Sequence, residues 1–185
     1  MTEIVSTIKD GGLLIYPTDS GYTLGCTIQS KKALTRLYMM KKEMKKYAMT
    51  LMVHDFPILS EWAEMENFMY KYMKHCLPGP FTFILKATKA CQKALDVKRE
   101  EIGVRMPEHP FFSSLVPLCD HALLTTSANP HHNDPIVNPD DIEKEFGNRV
   151  DLIVDMGPLP IRETTVISFT TGEAEVIRLG EGIPI

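Results

Sequence analysis

The sequence predicts a single α/β domain built on a large twisted sheet that is flanked by helices. About eight short apolar strands alternate with about five amphipathic helices along the chain. The 185 residues are 44% hydrophobic and 24% charged, and folding at this length buries about 70% of the surface that the extended chain exposes. Since no internal repeat, low-complexity tract or Pro/Ser-rich linker divides the sequence, we expect residues 1–185 to form one domain.

The first part of the chain predicts a helix, a strand and a second helix. A short amphipathic helix ends at Gly11-Gly12, and the apolar strand Leu13–Tyr16 follows it. We expect Pro17 to stop that strand, because proline has no backbone N–H to donate. Ser30 is a suitable N-cap, and the apolar face of the helix after it continues to Lys41.

Helices and strands continue to alternate through the rest of the chain. A stripe of Phe, Met, Tyr and Cys side chains predicts a core-facing helix over residues 68–76, before Pro78. A shorter helix follows Pro110, and Asn138-Pro139 is a cap and first-turn pair for a helix that ends at Gly147. The last two of the remaining strands are expected to form a hairpin. These strands are 49–53, 81–85, 102–106, 122–125, 152–154, 164–169 and 174–179.

The charge and hydropathy patterns exclude two classes of protein. Lys and Arg number 20 against 24 Asp and Glu, so the net charge of -4 excludes a globally basic nucleic-acid coat protein. No apolar run approaches the roughly 20 residues that cross a membrane, and Glu3 stands where a secretion signal is basic. We therefore expect a cytoplasmic protein that does not span a membrane.

Neither the cysteines nor the histidines form a metal-site pattern. The four cysteines lack the paired two-residue spacing of zinc sites, and a chain with this much core needs no disulfide framework. His131-His132 with Asp134 matches no standard ligand spacing and no catalytic triad. We expect no protein-held metal, and we expect all the cysteines to be reduced in the core. They are Cys26, Cys76, Cys91 and Cys119.

Two polar segments in the first part of the chain are candidates for anion binding. Hydroxyl and glycine residues in Pro17–Tyr22 can bring backbone N–H groups close to an anionic ligand, but the same residues suit an ordinary polar turn. Lys41 and Lys42, followed by two more lysines, either face a phosphate or complement the end of a helix in solvent. The residue pattern alone leaves both alternatives open.

Two further candidates lie at the ends of predicted strands. Arg105 ends an otherwise apolar strand, and a charge there needs a partner, which is either an anionic ligand or an internal acid. Ser127 and Asn129 follow the next strand, where α/β proteins often contact ligands, although Pro130 also suits a simple strand-ending turn. The residues favour neither alternative decisively.

Several of these segments together resemble one family. Gly12–Tyr22 is similar to its opening strand and Pro-Thr-Asp-Thr-Val-Tyr loop, and Leu77–Thr82 to its Pro-Gly-Pro-Leu-Thr segment. Gly103–Pro107 and Thr126–Asn129 resemble its Gly-Val-Arg-Val-Pro and Pro-Ser-Ala-Asn blocks, and residues 164–180 resemble its closing strands. With these blocks in order, the sequence resembles the YrdC/YciO family, whose best-known members are threonylcarbamoyl-AMP synthases.

The resemblance implies a fold, a reaction and its substrates. The implied fold is a YrdC-like domain with a twisted, mostly mixed β-sheet curved around a large, positively lined cavity. Family synthases convert ATP, bicarbonate and L-threonine into threonylcarbamoyl-AMP and pyrophosphate, and partner proteins pass the carbamoyl group to an adenosine in tRNA. Mg²⁺ is expected to bridge the ATP phosphates rather than to occupy a protein cage.

The resemblance also assigns roles to residues. Thr18, Ser20 and Tyr22 are expected to shape the threonine and carbamate pocket, and Arg105 to pair with the threonine carboxylate or a phosphate. Lys41 and Arg105 are the expected catalytic residues, since positioned cations stabilise charge on phosphate oxygens. The residues expected to hold the nucleotide are Lys41, Ser127, Asn129 and Arg178.

The sequence departs from the synthase pattern in two segments. The family's Lys-x-Arg followed by Lys-Pro-Leu is Lys41-Lys42-Glu43 and then Tyr47-Ala48-Met49 here, so Glu43 places an anion where the family has a cation beside the expected triphosphate. The loop reads Ser20-Gly21-Tyr22-Thr23 in place of Thr-Val-Tyr-Gly. Both features resemble the YciO branch more than the authentic synthases and predict a weakened synthase. The alternatives are a non-catalytic protein that binds double-stranded RNA or tRNA and an enzyme for another small acid or nucleotide.

Overall fold

The structure is a computed structural model that describes residues 1–40, 49–96, 100–119, 122–129 and 134–185. Within these residues, nine strands form one sheet and seven α-helices pack on its two faces. The strands are β1 (Leu14–Thr18), β2 (Gly21–Thr27), β3 (Thr50–Met52), β4 (Phe81–Lys86), β5 (Glu101–Arg105), β6 (Leu123–Ser127), β7 (Leu152–Ile153), β8 (Thr165–Ser168) and β9 (Glu175–Arg178). The helices are α1 (Thr2–Lys9), α2 (Lys31–Met40), α3 (Phe56–Trp62), α4 (Asn67–Cys76), α5 (Lys89–Leu95), α6 (Pro110–Leu115) and α7 (Pro139–Phe146).

The strands of the sheet run in mixed directions. Their order across the sheet is β7-β1-β2-β6-β3-β5-β4-β8-β9. The pairs β1·β7, β3·β5 and β4·β8 are parallel, and the other neighbouring strands are antiparallel. This mixed sheet with helices on its faces confirms the predicted fold class.

Apolar side chains cover the two faces of the sheet unequally. Leu13 and Ile15 belong to a large core cluster with α2, α3, α4, α5 and α7. Leu14 and Tyr16 alternate with them, so they point to the opposite face, where a smaller cluster holds α1 and α6. The small cluster leaves part of its face uncovered, and polar side chains of the central strands occupy that part.

Several local predictions are confirmed. Ser30 Oγ accepts a hydrogen bond from the Ala33 N–H at 3.2 Å, and Asn138 Oδ1 accepts one from the Asp140 N–H at 3.0 Å, so both side chains are helix caps. Met69 and Met73 of the predicted stripe are buried in the core. All four cysteines are buried and form no disulfide with one another.

Strand β2 is absent from the sequence prediction, and Pro17 does not stop β1 as expected. All seven residues of β2 are buried, so the strand has no alternation of apolar and polar residues that would predict it. Pro17 pairs with Tyr22, whose backbone carbonyl accepts from the Ala128 N–H just after β6 and therefore points away from β1. The nitrogen of Pro17 therefore faces away from β2, toward the side of β1 where β7 pairs only with Leu14 and Ile15. The lack of an N–H at Pro17 thus costs the sheet no hydrogen bond.

Helices α3 and α5 are also absent from the sequence prediction. Each has seven residues, which is too short for helical periodicity to stand out in the sequence. Their caps are nevertheless regular, because Asp55 accepts from the Ile58 N–H and Thr88 accepts from the Cys91 N–H. The two helices pack against each other, so they are stabilised by tertiary contacts.

Candidate functional site

A cavity of about 840 Å³ opens on the uncovered part of the sheet. Strands β2, β3, β4, β5 and β6 contribute its floor, and β8 and β9 contribute its wall. An irregular segment, residues 154–164, joins β7 to β8 and supplies lining residues from the opposite side. We call this segment the strap. The volume is in the range of about 300–1,000 Å³ that is typical of small-molecule sites.

The strand register places residues of like character in rows across the cavity floor. Gly103 in β5 lies between Thr50 in β3 and Ile84 in β4. A Cβ atom at Gly103 would lie 3.2 Å from Thr50 Oγ1, so glycine keeps this part of the floor low. In the next row Met52 pairs with Arg105, and Val166 pairs with Arg178. The register therefore places both arginines on the cavity face.

Arg105 is buried beneath one end of the cavity and has an acid as its partner. Its Nη2 lies 2.6 Å from Asp19 Oδ1, and its Nη1 donates to Ser20 Oγ at 2.7 Å. Burial lowers the pKa of the Arg105 guanidinium, and the Asp19 carboxylate raises it again. Of the two alternatives for Arg105, the internal ion pair is therefore present before any ligand arrives.

The hydroxyl groups of the β1–β2 turn bond to one another. Thr18 Oγ1 donates to the Gly21 carbonyl at 2.9 Å, so in its 3.1 Å contact with Ser20 Oγ the serine is the donor. Ser20 Oγ thus donates a hydrogen bond to Thr18 Oγ1 and accepts one from Arg105 Nη1. Gly21 closes the turn with a φ of +110°, a conformation that favours glycine. The turn is consequently a fixed structural unit of the cavity.

Tyr22 connects the floor to the strap. Its hydroxyl accepts from the Met156 N–H at 2.9 Å and donates to the Gly157 carbonyl at 2.8 Å. Arg162 of the strap donates its backbone N–H to the Ser20 carbonyl at 3.4 Å. Burial raises the pKa of the Tyr22 hydroxyl, so the group stays protonated at neutral pH. Tyr22 lines the cavity, but its hydroxyl serves the strap.

The strap stays beside β1 and the β1–β2 turn before it joins β8. The Val154 N–H donates to the Ile15 carbonyl at 2.8 Å, and the Arg162 N–H donates to the Ser20 carbonyl. Only three peptide steps, which reach about 11 Å, separate Arg162 from Thr165 in β8. The sheet therefore curves so that β8 approaches the turn across the cavity.

The rim of the cavity has Arg162, Glu163 and Arg178 from its lining, together with Glu181, which pairs with Arg162. Two long ion pairs lie there, Arg162–Glu181 at 3.7 Å and Arg178–Glu163 at 3.8 Å. Arg178 also donates from Nε and Nη2 to the Thr164 carbonyl at 3.3 and 3.0 Å. All four side chains of the rim are about half exposed or more. The rim thus carries charge that is only loosely paired.

Ser127 and Asn129 lie at the end of β6, on the cavity wall. Ser127 Oγ donates to Asn129 Oδ1 at 2.7 Å, and the Asn129 N–H donates to the Ser127 carbonyl at 3.0 Å. Both alternatives offered by the sequence are therefore present, because the segment is a strand-ending turn and also lines the cavity.

The structure brings most of the predicted site residues to one cavity. Its lining includes Ser20, Tyr22, Arg105, Ser127, Asn129 and Arg178, whereas Thr18 lies directly behind Ser20. Lys41 and Glu43 lie outside the described residues. The described lining has three arginines and three glutamates, so the positive lining implied by the resemblance stays a prediction.

Three parts of this cavity could not be assigned to it from the sequence motifs. Asp19 belongs to the polar turn, and nothing in the sequence links it to an arginine 86 positions away. Thr50 and Thr82 line the floor, and the alternation of their strands was the signal that could have found them. Arg162 is on the irregular strap, which has no sequence pattern.

Neither metal-binding clusters nor membrane-spanning helices occur in the described residues. No group of three or more His, Cys, Asp or Glu side chains is arranged there to hold a metal ion. Among the same residues, every helix is too short or too polar to cross a membrane.

Comparison with known proteins identifies relatives along the whole chain. Residues 6–180 match the Sua5/YciO/YrdC family model, described as "Telomere recombination". The chain is 35% identical to YciO of Escherichia coli K12, itself named uncharacterized, over 98% of this chain and 89% of that protein. It is 29% identical to a threonylcarbamoyl-AMP synthase of Coxiella burnetii, over 97% of this chain and 96% of that protein.

Solved structures have the same fold. The crystal structure of E. coli YciO matches with a TM-score of 0.87 and 36% identity, over 98% of this chain and 89% of that one. Sua5 of P. abyssi in complex with L-threonine has a TM-score of 0.87 at 23% identity, over 96% of this chain and 53% of that one. The likeness to Sua5 concerns the fold alone.

Proposed function

The chain belongs to the Sua5/YciO/YrdC family, and we propose that it joins L-threonine, bicarbonate and ATP into threonylcarbamoyl-AMP and pyrophosphate, as a weakened synthase. In this reaction threonine and bicarbonate form a carbamate with loss of water. A carbamate oxygen then attacks the α-phosphorus of ATP, and pyrophosphate leaves. The product would serve the threonylcarbamoyl modification of an adenosine in tRNA.

The cavity is the observation that carries this proposal. It is one space of about 840 Å³ that receives the polar side chains of Ser20, Arg105, Ser127, Asn129 and Arg178 from four separate strands and turns. A reaction in which two substrates meet and charge builds on phosphate needs positioned donors and cations, and it needs no protein nucleophile. The relatives that are threonylcarbamoyl-AMP synthases support the same substrates.

Each group has a proposed role in that reaction. The turn around Ser20 shapes the threonine and carbamate end, and Arg105 fixes this turn through its bonds to Ser20 and Asp19. Ser127, Asn129 and Arg178 hold the triphosphate, together with Lys41. Mg²⁺ would enter as a complex with ATP and bridge its phosphates.

Glu43 is the reason for proposing a weakened enzyme. The synthase pattern has Arg at this position, and an acid beside a triphosphate repels it by an energy on the order of a few kcal/mol when the site is partly desolvated. A loss of that size corresponds to a rate or affinity that is lower by a factor of ten to a few thousand.

Pyrophosphate release from ATP and bicarbonate, measured with and without L-threonine, tests the proposal. Threonine-dependent release by the wild type is expected at a low rate, and E43R is expected to raise it. E173R, which makes the same change of two charge units at an exposed residue between β8 and β9, is the control for a change of net charge. Release that is absent from both the wild type and E43R would exclude the synthase. RNA retention in a gel by such an inactive protein would then support the RNA-binding alternative.

A further inference from the structure

We propose that Arg162 on the strap is a ligand-binding residue of the cavity that receives an anionic group, with Glu181 as its partner in the absence of ligand. The inference rests on the proposed function only in that both place an anionic ligand in this cavity. Arg162 belongs to none of the motifs that the sequence analysis singled out.

The hydrogen bonds of the three lining arginines distinguish Arg162 from the other two. Arg105 gives Nη1 to Ser20 and Nη2 to Asp19, and its Nε is buried. Arg178 gives Nε and Nη2 to the Thr164 carbonyl. Within the described part of the chain, the guanidinium of Arg162 makes no hydrogen bond, and its ion pair with Glu181 is 3.7 Å long. Its donors are therefore available to a ligand.

The backbone of Arg162 is nevertheless fixed beside the turn. Its N–H donates to the Ser20 carbonyl at 3.4 Å, and the preceding residue, Ile161, has its Cα 3.9 Å from where a Cβ of Gly21 would be. The side chain thus leaves a held point of the strap and lines the cavity. A guanidinium in this position can bind phosphate or carboxylate with two parallel hydrogen bonds.

Glu181 is suited to hold Arg162 weakly and to release it. The two side chains are 57% and 49% exposed, and an ion pair at that exposure contributes little to stability. An anionic ligand that approaches the Arg162 guanidinium to hydrogen-bonding distance therefore displaces Glu181. Glu181 thereby lowers the affinity for anions that bind Arg162.

Calorimetric titration with inorganic pyrophosphate tests this assignment in a double-mutant cycle. R162Q is expected to weaken pyrophosphate binding about tenfold, the effect of losing a charge-assisted hydrogen bond. E181Q alone is expected to bind pyrophosphate about threefold more tightly than the wild type. Added to R162Q, the same substitution should have no effect, because Glu181 competes with the ligand only for Arg162. R149Q, which removes an exposed arginine that follows α7, is the control for net charge and should resemble the wild type.

Three results would overturn the assignment. These are an R162Q affinity equal to that of R149Q, an E181Q effect of the same size with and without Arg162, and no pyrophosphate binding by the wild type at millimolar concentration. The synthase proposal fails separately in the release assay. A protein that releases no pyrophosphate from ATP but binds pyrophosphate through Arg162 loses the proposed reaction and keeps this inference.

Discussion

Two ion pairs beside the cavity have the same chemistry in opposite environments. Beneath the turn, Arg105 and Asp19 approach to 2.6 Å with side chains only 7% and 14% exposed. At the rim, Arg162 and Glu181 are 3.7 Å apart and about half exposed. A buried pair cannot lose one partner without leaving an uncompensated charge, whereas an exposed pair can exchange its partner for a ligand or for water. Burial therefore makes the first pair part of the fold and leaves the second available for binding.

The two ion pairs are expected to differ most in their contributions to the free energy of unfolding. Arg105→Met leaves the Asp19 carboxylate buried without its cation and should lower the free energy of unfolding by about 3–5 kcal/mol. Arg162→Met, the matched change at the rim, should lower it by less than about 1 kcal/mol. Urea unfolding at pH 7 measures both values. Equal losses would show that burial does not separate the two pairs.

The bonds that connect Tyr22 of β2 to the strap should have the next largest effect on stability. Tyr22→Phe removes the hydroxyl that bonds to the Met156 N–H and the Gly157 carbonyl, and it should cost about 2 kcal/mol of unfolding free energy. Hydrogen exchange in the strap should accelerate as well. Tyr70→Phe is the control, because its hydroxyl makes no hydrogen bond within the described residues. A strap that exchanges no faster in Tyr22→Phe would mean that other contacts hold it.

A third ion pair of intermediate exposure sharpens the comparison through its pH dependence. Asp151 accepts from Arg36 Nη1 and from the Leu13 N–H, both at 2.6 Å, with side-chain exposures of 34% for Arg36 and 38% for Asp151. Partial burial raises the pKa of Asp151, but the hydrogen bonds from Arg36 and Leu13 outweigh it, so the pKa lies below its ordinary value.

The lowered pKa determines the direction of the pH effect. Asp151 stabilises the fold fully above its pKa in the unfolded chain, and this contribution is lost as the pH falls below about 4. Asp151→Asn should cost about 1 kcal/mol at pH 7 and less at pH 3. Urea unfolding at the two pH values measures the difference. The same loss at both would assign the stabilisation to packing rather than to the charge.

The smallest effect is expected from the acid that pairs with Arg178. Glu163→Gln should change the free energy of unfolding by less than about 0.5 kcal/mol, since the pair is long and exposed. The wild type and the variant should also become more alike as the salt concentration rises from 0.05 to about 0.5 M, because salt screens exposed charges. A loss above 1 kcal/mol would contradict the conclusion that the exposed ion pairs contribute little to stability.

The sequence was informative where a property is local and silent where it depends on distant partners. Ser30 and Asn138 could be identified as caps because a cap acts within three residues. Strand β2 could not be found, because it is buried on both faces and so lacks the alternation that marks a half-buried strand.

The same distinction applies to the site. Arg105 could be identified as a buried charge in need of a partner, but its partner lies 86 residues earlier and only the folded chain reveals it. Arg162 had no signal, because the strap has neither helical nor strand periodicity. The motifs of the family resemblance supplied the remaining residues, and the cavity brings most of them together.

The order of the elements along the chain also has a consequence for synthesis. The floor strands β1 to β6 are complete at residue 127, whereas the strap begins after β7, and the bond from Tyr22 to Gly157 spans 135 residues. Contacts of such separation are slow to form, because a long loop must close first. A chain emerging from the ribosome therefore exposes the cavity floor before its cover exists. The enclosed cavity is among the last features that the nascent protein acquires.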